Sequence, residues 1–144
     1  MLQSVVIDTN VFVSALRSQH GSSYKLFMLI GGGLFDINVS VPLVLEYEAS
    51  AKKINTQTRL KAGDIDDILD YICSVAKHRG IFYLWRPFLK DPKDDMVLEL
   101  AVESNSNFII TYNTTYNTCD FEGSEKFGIP VLTPKEFLER IGGI

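Results

Sequence analysis

The acidic residues of this chain that could do chemistry stand where predicted strands end or helices begin. Asp8 directly follows a short apolar run at residues 4–7. Glu46 lies early in one predicted helix, and Asp94 opens another. In open parallel sheets, ligands bind beyond the carboxyl ends of the strands, and Asp8 occupies that point on the first strand. A loop at residues 111–120 follows a further strand, so four separated segments are predicted to converge at one edge.

Carboxylates gathered in one cleft repel each other, on the order of several kcal/mol at low dielectric, unless a cation neutralises them. Ligands that are all oxygens select hard ions such as Mg²⁺ or Mn²⁺. Such a site can activate water and stabilise the attacking and leaving oxygens of a phosphoryl group. His20 and His78 are isolated and have no serine or cysteine partner at a meaningful spacing. The expected chemistry is therefore metal-assisted phosphodiester hydrolysis.

The elements that must position these residues alternate between strands and helices. Hydrophobic periodicity predicts strands at residues 4–7, 35–40, 81–85, 108–111 and 128–133. It predicts helices at residues 24–30, from Pro42 through Ala51, at 64–76, across the segment 91–101, and from Thr133 onward with a capping box. Alternation of this kind predicts an α/β fold with three layers, α/β/α, around a central, mostly parallel sheet.

The composition fits one domain over residues 1–144, because 144 residues with 46% hydrophobic side chains suffice for one buried core. No apolar run is long enough to span a bilayer, and the first residues lack a signal-peptide pattern, so we expect a cytoplasmic protein without a membrane partner. The net charge of −4 means that a polyanionic substrate must be held locally. Cys73 and Cys119 form no zinc-binding cluster.

Five motifs, taken in chain order, carry a resemblance to a known family. They are VIDTNVFVSA at residues 6–15, EYE at 46–48, DPKDDMVLELA at 91–101, DFEG at 120–123 and FGI at 127–129. Together they resemble the PIN-domain ribonucleases. More narrowly, the chain is similar to the VapC-like toxin subunits of bacterial type II toxin–antitoxin pairs, from Ile7 through Ile141.

This resemblance implies an endoribonuclease that hydrolyses RNA phosphodiester bonds with Mg²⁺ or Mn²⁺. It also implies a protein antitoxin that keeps the enzyme silent, and a homodimer. The carboxylates carried over as catalytic and metal-binding are Asp8, Glu46, Asp94 and Asp120. The residues carried over in supporting roles are Asn10, Thr111, Asn113 and Asp95, with Asn10 orienting a ligand carboxylate.

The chain departs from the family pattern at one loop. Residues 111–114 read TYNT and residues 115–118 repeat the same letters, where the family has a single Thr-x-Asn or Thr-x-Asp. The insertion leaves open whether Asn113 or Asn117 faces the metal. It also leaves open whether Asp120 reaches the cluster from its displaced position.

Two neighbouring aspartates compete for the third ligand position. Asp94 lies seven residues before Ala101 and therefore on the same helical face, whereas Asp95 is rotated by about 100°. The sequence favours Asp94, and Asp91 is expected only to cap this helix. A second acidic group occupies the polar face of the helix at 64–76 and is predicted to be solvated: Asp64, Asp66, Asp67 and Asp70.

Two other functions compete with the nuclease. The first is a catalytically impaired PIN fold that serves as a binding module, for which the duplicated TYNT loop is the only sequence argument. The second is a metal-dependent phosphatase, which ranks lower because the nucleophilic Asp-x-Asp-x-Thr signature is absent. Asn10 and Phe12 occupy the positions that this signature would need.

Overall fold

The computed structural model of the protein describes residues 2–55, 58, 60–80, 92–112 and 129–142, and for residues 62 and 92–95 it describes the backbone only. Within these ranges there are five strands: β1 (Gln3–Ile7), β2 (Phe35–Val39), β3 (Lys77–His78), β4 (Phe108–Ile110) and β5 (Val131–Leu132). The helices of the same ranges are α1 (Thr9–Arg17), α2 (Ser22–Met28), α3 (Val41–Ile54), α4 (Ala62–Val75), α5 (Pro92–Glu103) and α6 (Pro134–Ile141).

The strands form one parallel sheet in the order β3-β2-β1-β4-β5. β1 lies at its centre because Val5, Val6 and Ile7 are apolar on both faces, and all three are fully buried. The chain leaves β1 toward β2 on one side and later returns to β4 on the other. The direction of winding therefore reverses between β1 and β4, which makes this position the topological switch point of the sheet.

Helices cover both faces of the sheet. On one face, the Phe137 ring of α6 packs edge-on against Phe35 and Phe108, with ring centroids 5.3 and 6.0 Å apart. On the other face, the fully buried Asn38 of β2 donates to Ser4 Oγ and to Ser106 Oγ, just beyond the end of α5. The predicted three-layer α/β/α architecture with a parallel sheet is confirmed.

Most predicted elements are present, with differences at the short ones. The strand β3 at Lys77–His78 was not predicted, since two exposed polar residues carry no hydrophobic pattern. The strand predicted at residues 81–85 lies outside the described residues. The helix α1 was not predicted either, although Asp8 caps it by accepting a hydrogen bond from the Thr9 backbone N–H.

The C-terminal helix begins at the predicted capping box. The Thr133 hydroxyl accepts from the Glu136 N–H, and the Glu136 carboxylate accepts from the Thr133 N–H. The hydrogen bond from the Thr133 backbone N–H, and then the Thr133 side chain, lower the pKa of Glu136. Gly142 then ends the helix with φ 71°, a left-handed conformation that glycine adopts without strain.

The acidic face of α4 is solvent-exposed, as predicted. Asp64, Asp66, Asp67 and Asp70 are all exposed, while the opposite side of the helix is buried in the core. Over the part of the chain that the structure describes, no helix combines the length and the apolar character needed to cross a membrane.

Candidate active site

The carboxyl ends of β1 and β4 place Asp8 and Thr111 side by side. Ile7 and Ile110 are register partners in these two parallel strands, and each strand ends at that residue. The Asp8 backbone N–H donates to the Ile110 carbonyl oxygen at 2.9 Å, so the pairing continues one residue beyond β1. Asp8 and Thr111 therefore lie next to each other at the topological switch point.

Asp8 is a buried residue, 8% exposed, and each of its carboxylate oxygens accepts a hydrogen bond. Oδ1 accepts from the Thr9 N–H at 2.7 Å, and Oδ2 accepts from the Thr111 hydroxyl at 2.7 Å. Hydrogen bonds to a charged acceptor at this length are strong, about 1.5–3 kcal/mol each. Asp8 is therefore both the N-cap of α1 and a carboxylate with a fixed orientation at the edge of the sheet.

Asn10 forms hydrogen bonds with the first residues of the duplicated loop, next to Asp8. Its Nδ2 donates to Thr111 Oγ1 at 3.1 Å, and its Oδ1 accepts from the Tyr112 N–H at 3.2 Å. The Thr111 proton could also point to Asn10 Oδ1 at 3.4 Å. Asp8 is the better acceptor because it is charged and closer. The structure thus brings together Asp8, Asn10 and Thr111, three of the predicted site residues.

The first copy of the TYNT repeat begins in this network. Beyond the Thr111 contact, the Tyr112 hydroxyl and the Ser23 hydroxyl of α2 are 2.6 Å apart and share a hydrogen bond. Ser23 is buried, so this contact ties the loop to the body of the domain. Asn113, Asn117 and Asp120 lie outside the described residues. Which asparagine faces the metal, and whether Asp120 reaches the cluster, therefore stay predictions from the sequence.

Glu46 lies in the second turn of α3, the helix that is capped by Ser40 directly after β2. It is half-buried, and its Oε1 accepts a hydrogen bond from Ser50 at 3.2 Å. The next residue, Tyr47, is fully buried, and its hydroxyl donates to the carbonyl oxygen of Ile7. That contact joins the helix of Glu46 to the strand that carries Asp8.

The negative charge of Asp8 also affects the pKa of Tyr47. Burial, and then the negative charge of Asp8, raise the pKa of Tyr47 well above its ordinary value. Its ring packs against Phe12 of α1 with centroids 5.0 Å apart, so α1, α3 and the end of β1 form one rigid unit. The role of Tyr47 at the strand end was not predicted from the sequence. A single hydroxyl in an apolar pattern was the available signal.

The third segment, α5, carries Asp94 and Asp95 in its first turn, but their side chains are outside what the structure describes. Sequence analysis preferred Asp94 because that face leads to the buried Ala101. One turn beyond Asp95, however, the Glu99 carboxylate is only 3% exposed. The helical faces of both aspartates therefore lead to buried residues further along α5. Helical position alone does not decide whether Asp94 or Asp95 is the metal ligand. Glu99 itself was not singled out, although it interrupts an apolar run.

The atoms near Asp8 that could bind a metal are all oxygens, the donor type that hard cations prefer. The atoms around Asp8 are carboxylate, hydroxyl and amide oxygens, which suit Mg²⁺ or Mn²⁺ and not Zn²⁺. Among described residues alone, no three His, Cys, Asp or Glu side chains are grouped closely enough to hold a metal. The side chain of Asp94 and the whole of Asp120 lie outside the described part of the chain.

A cleft of about 1130 Å³ opens between α1, α2 and α4. Since α1 starts at Asp8 and its last residues line the cleft, this helix connects the cleft with the candidate site. Polar groups at its border include Arg17, His20 and Asp67. Its apolar lining comes mainly from Phe12, Leu16, Tyr24, Phe27, Met28 and Tyr71.

The fold and this site define an α/β domain with a buried aspartate, Asp8, at the switch point of a parallel sheet. The family model described as PIN domain matches residues 4–115. The chain therefore belongs to the PIN-domain family, as its motifs indicated.

Among solved structures, a chain in the crystal structure of VapBC2 from Rickettsia felis, bound to a DNA fragment from their promoter, is similar to this protein. The TM-score is 0.61 at 14% sequence identity, and the match covers 91% of this chain and 98% of that one. This likeness confirms the PIN-like three-layer fold. No curated protein sequence matches the chain.

Proposed function

We propose that this protein is a metal-dependent endoribonuclease that acts as the toxin of a toxin–antitoxin pair. The observation that carries the proposal is the Asp8 carboxylate, buried at the switch point and oriented by hydrogen bonds to both of its oxygens. Membership of the PIN-domain family supports nuclease chemistry at this position. The similarity in fold to a chain of VapBC2 supports the toxin assignment.

The proposed ligands of a Mg²⁺ or Mn²⁺ ion are Asp8, Glu46, Asp94 and Asp120, with Asp95, Thr111 and Asn113 in support. When bound, the ion would supply charge stabilisation for the scissile phosphate and a nucleophile at neutral pH. Thr111 and Thr9 N–H hold the Asp8 carboxylate in one orientation. Asn10 fixes Thr111 in turn, so the carboxylate needs no rearrangement when a cation arrives.

Cleavage of a mixed RNA pool with Mn²⁺ or Mg²⁺ tests the proposal. The wild type should cut the pool, and Asp8→Asn should lose most of this activity because a neutral amide neither binds nor neutralises the cation comparably. Asp70→Asn, an equivalent change on the exposed face of α4, is the matched control and should cut like the wild type. Equal cutting by the wild type and Asp8→Asn would reject the mechanism. A wild type that neither cuts the pool nor binds Mn²⁺ would favour the impaired binding module.

The cleft between α1, α2 and α4 is the proposed docking site for an apolar segment of the antitoxin. Its exposed lining includes Met28, which is 65% exposed. A peptide seated there could continue along α1 and reach Asp8, in the manner of a helix or extended segment in an apolar groove. This arrangement would let one partner both bind the protein and cover its active site.

Co-expression with the product of the adjacent reading frame tests the docking site. Met28→Asp should abolish co-purification, because a carboxylate would have to be buried against the apolar segment. Leu34→Asp, on an apolar residue that is 43% exposed and does not line the cleft, is the matched control and should preserve the complex. Retention of the partner by Met28→Asp would contradict the docking site.

We further propose that the protein is cytoplasmic and forms a homodimer. Light scattering would test the homodimer, which should have twice the monomer mass.

A further inference from the structure

An aromatic side chain lies exposed beside the candidate site. Tyr112 directly follows Thr111, the residue whose hydroxyl donates to Asp8 Oδ2 at 2.7 Å. Tyr112 is 44% exposed, although aromatic rings are among the side chains that gain most from burial. Single exposed apolar side chains are common on protein surfaces, so exposure alone gives this ring no function. Its position next to a proposed metal ligand, and the contacts that hold it there, are the observations that matter.

The Tyr112 side chain is held at both ends. Its backbone N–H donates to Oδ1 of Asn10, in the first turn of α1, at 3.2 Å. Its hydroxyl shares a hydrogen bond of 2.6 Å with the hydroxyl of Ser23, in the first turn of α2. Ser23 is fully buried in the body of the domain. The exposed part of Tyr112 therefore includes ring surface that is kept in one orientation beside Asp8.

Resting on the proposed function, we propose that Tyr112 is a substrate-binding residue whose ring stacks against an unpaired RNA base next to the scissile phosphate. Single-stranded RNA is recognised largely by stacking of splayed bases on aromatic side chains. Stacking does not depend on neutralising phosphates, and this protein, with a net charge of −4, has no general attraction for a polyanion. A ring that is already held in place loses little further conformational entropy when a base stacks on it.

Abasic nucleotides in the substrate test for this contact. Once the wild type and Mn²⁺ have been used to map the cut in a single-stranded RNA, the same RNA is made with an abasic site on either side of the cut. We expect Tyr112→Leu, which removes the ring, to lower kcat/KM for the intact RNA about fivefold to hundredfold, as for one lost stacking contact. The wild type should lose a similar factor on one of the two abasic RNAs. Tyr112→Leu should lose little more on that RNA, because the contact is already absent.

Three further variants separate stacking from a structural role. Tyr112→Phe keeps the ring and loses the hydrogen bond to Ser23, and its kcat/KM should stay within about threefold of the wild type. Ser23→Ala removes the same hydrogen bond from the other side and should stay within the same range. Leu34→Ala is the matched control, because Leu34 is 43% exposed and precedes β2 at the opposite, amino edge of the sheet. It should cut all three RNAs like the wild type.

Several results would overturn the inference while the wild type still cuts the intact RNA. The first is a wild type that cuts both abasic RNAs as fast as the intact RNA, a result that needs no variant to fold. The others are wild-type kcat/KM in Tyr112→Leu, and a loss in Tyr112→Phe or Ser23→Ala as large as that in Tyr112→Leu, which would assign the effect to the hydrogen bond. A wild type that cuts no RNA would overturn the proposed function, and this inference with it.

Discussion

Replacing Thr111 with valine tests the network that orients Asp8. The variant keeps the side-chain shape and removes a hydroxyl that is buried, donates to Asp8 Oδ2 at 2.7 Å and accepts from Asn10 Nδ2 at 3.1 Å. The first hydrogen bond, to a charged group, is worth about 1.5–3 kcal/mol, and the second, between neutral groups, about 0.5–1.5 kcal/mol. The expected loss in the free energy of unfolding is therefore about 2–4.5 kcal/mol.

For a domain of 144 residues, each kcal/mol corresponds to a shift in Tm of roughly 3–4 °C. Thr111→Val should thus melt about 6–18 °C below the wild type. Urea unfolding followed by circular dichroism, in EDTA, gives the free energy directly. RNA cleavage by the variant at a temperature where it is folded should also fall, because Asp8 loses a fixed orientation.

A double-mutant cycle with Asp8→Ala isolates the Thr111–Asp8 hydrogen bond. The two changes should be non-additive by about 1.5–3 kcal/mol, because each removes the same charged contact. Thr58→Val, combined with Asp8→Ala, is the control and should be additive within about 0.5 kcal/mol. Additivity of Thr111→Val and Asp8→Ala, or a Thr111→Val protein as stable as the wild type, would refute the reasoning.

Three further predictions follow from the same structure. Tyr47→Phe should cost about 1–3 kcal/mol by leaving the buried Ile7 carbonyl unpaired, as chemical denaturation would show. Because the pKa of Tyr47 is raised in the folded state, its stabilising effect is complete below pH ~10 and is lost as the pH rises through the folded value. Wild-type stability should therefore fall more steeply than that of Tyr47→Phe in alkaline titrations, and parallel curves would contradict this. Deleting residues 115–118 should change the free energy of unfolding by less than about 1 kcal/mol and preserve cleavage, since Thr111 and Tyr112, which bond Asp8 and Ser23, are kept and a shorter loop changes the closure entropy little; an unfolded deletion variant would show otherwise. Thr133→Ala should cost about 1 kcal/mol through loss of the cap. The Thr133 backbone N–H, which is the main cause of the lowered pKa of Glu136, is kept in Thr133→Ala. The cost should therefore change little with pH, while the stability of both proteins falls as the pH drops from about 4.3 through the folded value; a cost that disappears at low pH is the contrary result.

The sequence predicted the parts of the fold that hydrophobic periodicity controls. The fully apolar core of β1 could only be a strand buried on both faces, and α4 showed its buried and acidic sides clearly. The helix α1 was not predicted, because Asp8, which caps it, was interpreted as a ligand at the end of β1. The structure shows that one carboxylate serves as cap and as oriented site residue together. β3 was missed because two exposed polar residues pair with β2 through the backbone alone.

Within the candidate site, Asp8 could be predicted from its position after the first strand. The residues that hold Asp8 and its neighbours in place were harder to predict. Asp8 followed from the rule that ligands bind at the carboxyl ends of parallel strands. Asn10 and Thr111 were predicted from the family resemblance. In the structure Thr111 donates a hydrogen bond to Asp8, and Asn10 donates one to Thr111. The hydroxyl contacts of Tyr47 and Ser23 depend on tertiary packing between segments far apart in the chain. No local pattern in the sequence encodes such contacts.

Anomalous diffraction from crystals of the protein grown with Mn²⁺ tests the central claim most directly. The account predicts a manganese peak at the carboxyl edge of the sheet, bound by oxygens of Asp8, Glu46 and Asp94. A manganese ion bound elsewhere, or these three carboxylates held in separate environments too far apart to share one ion, would contradict it.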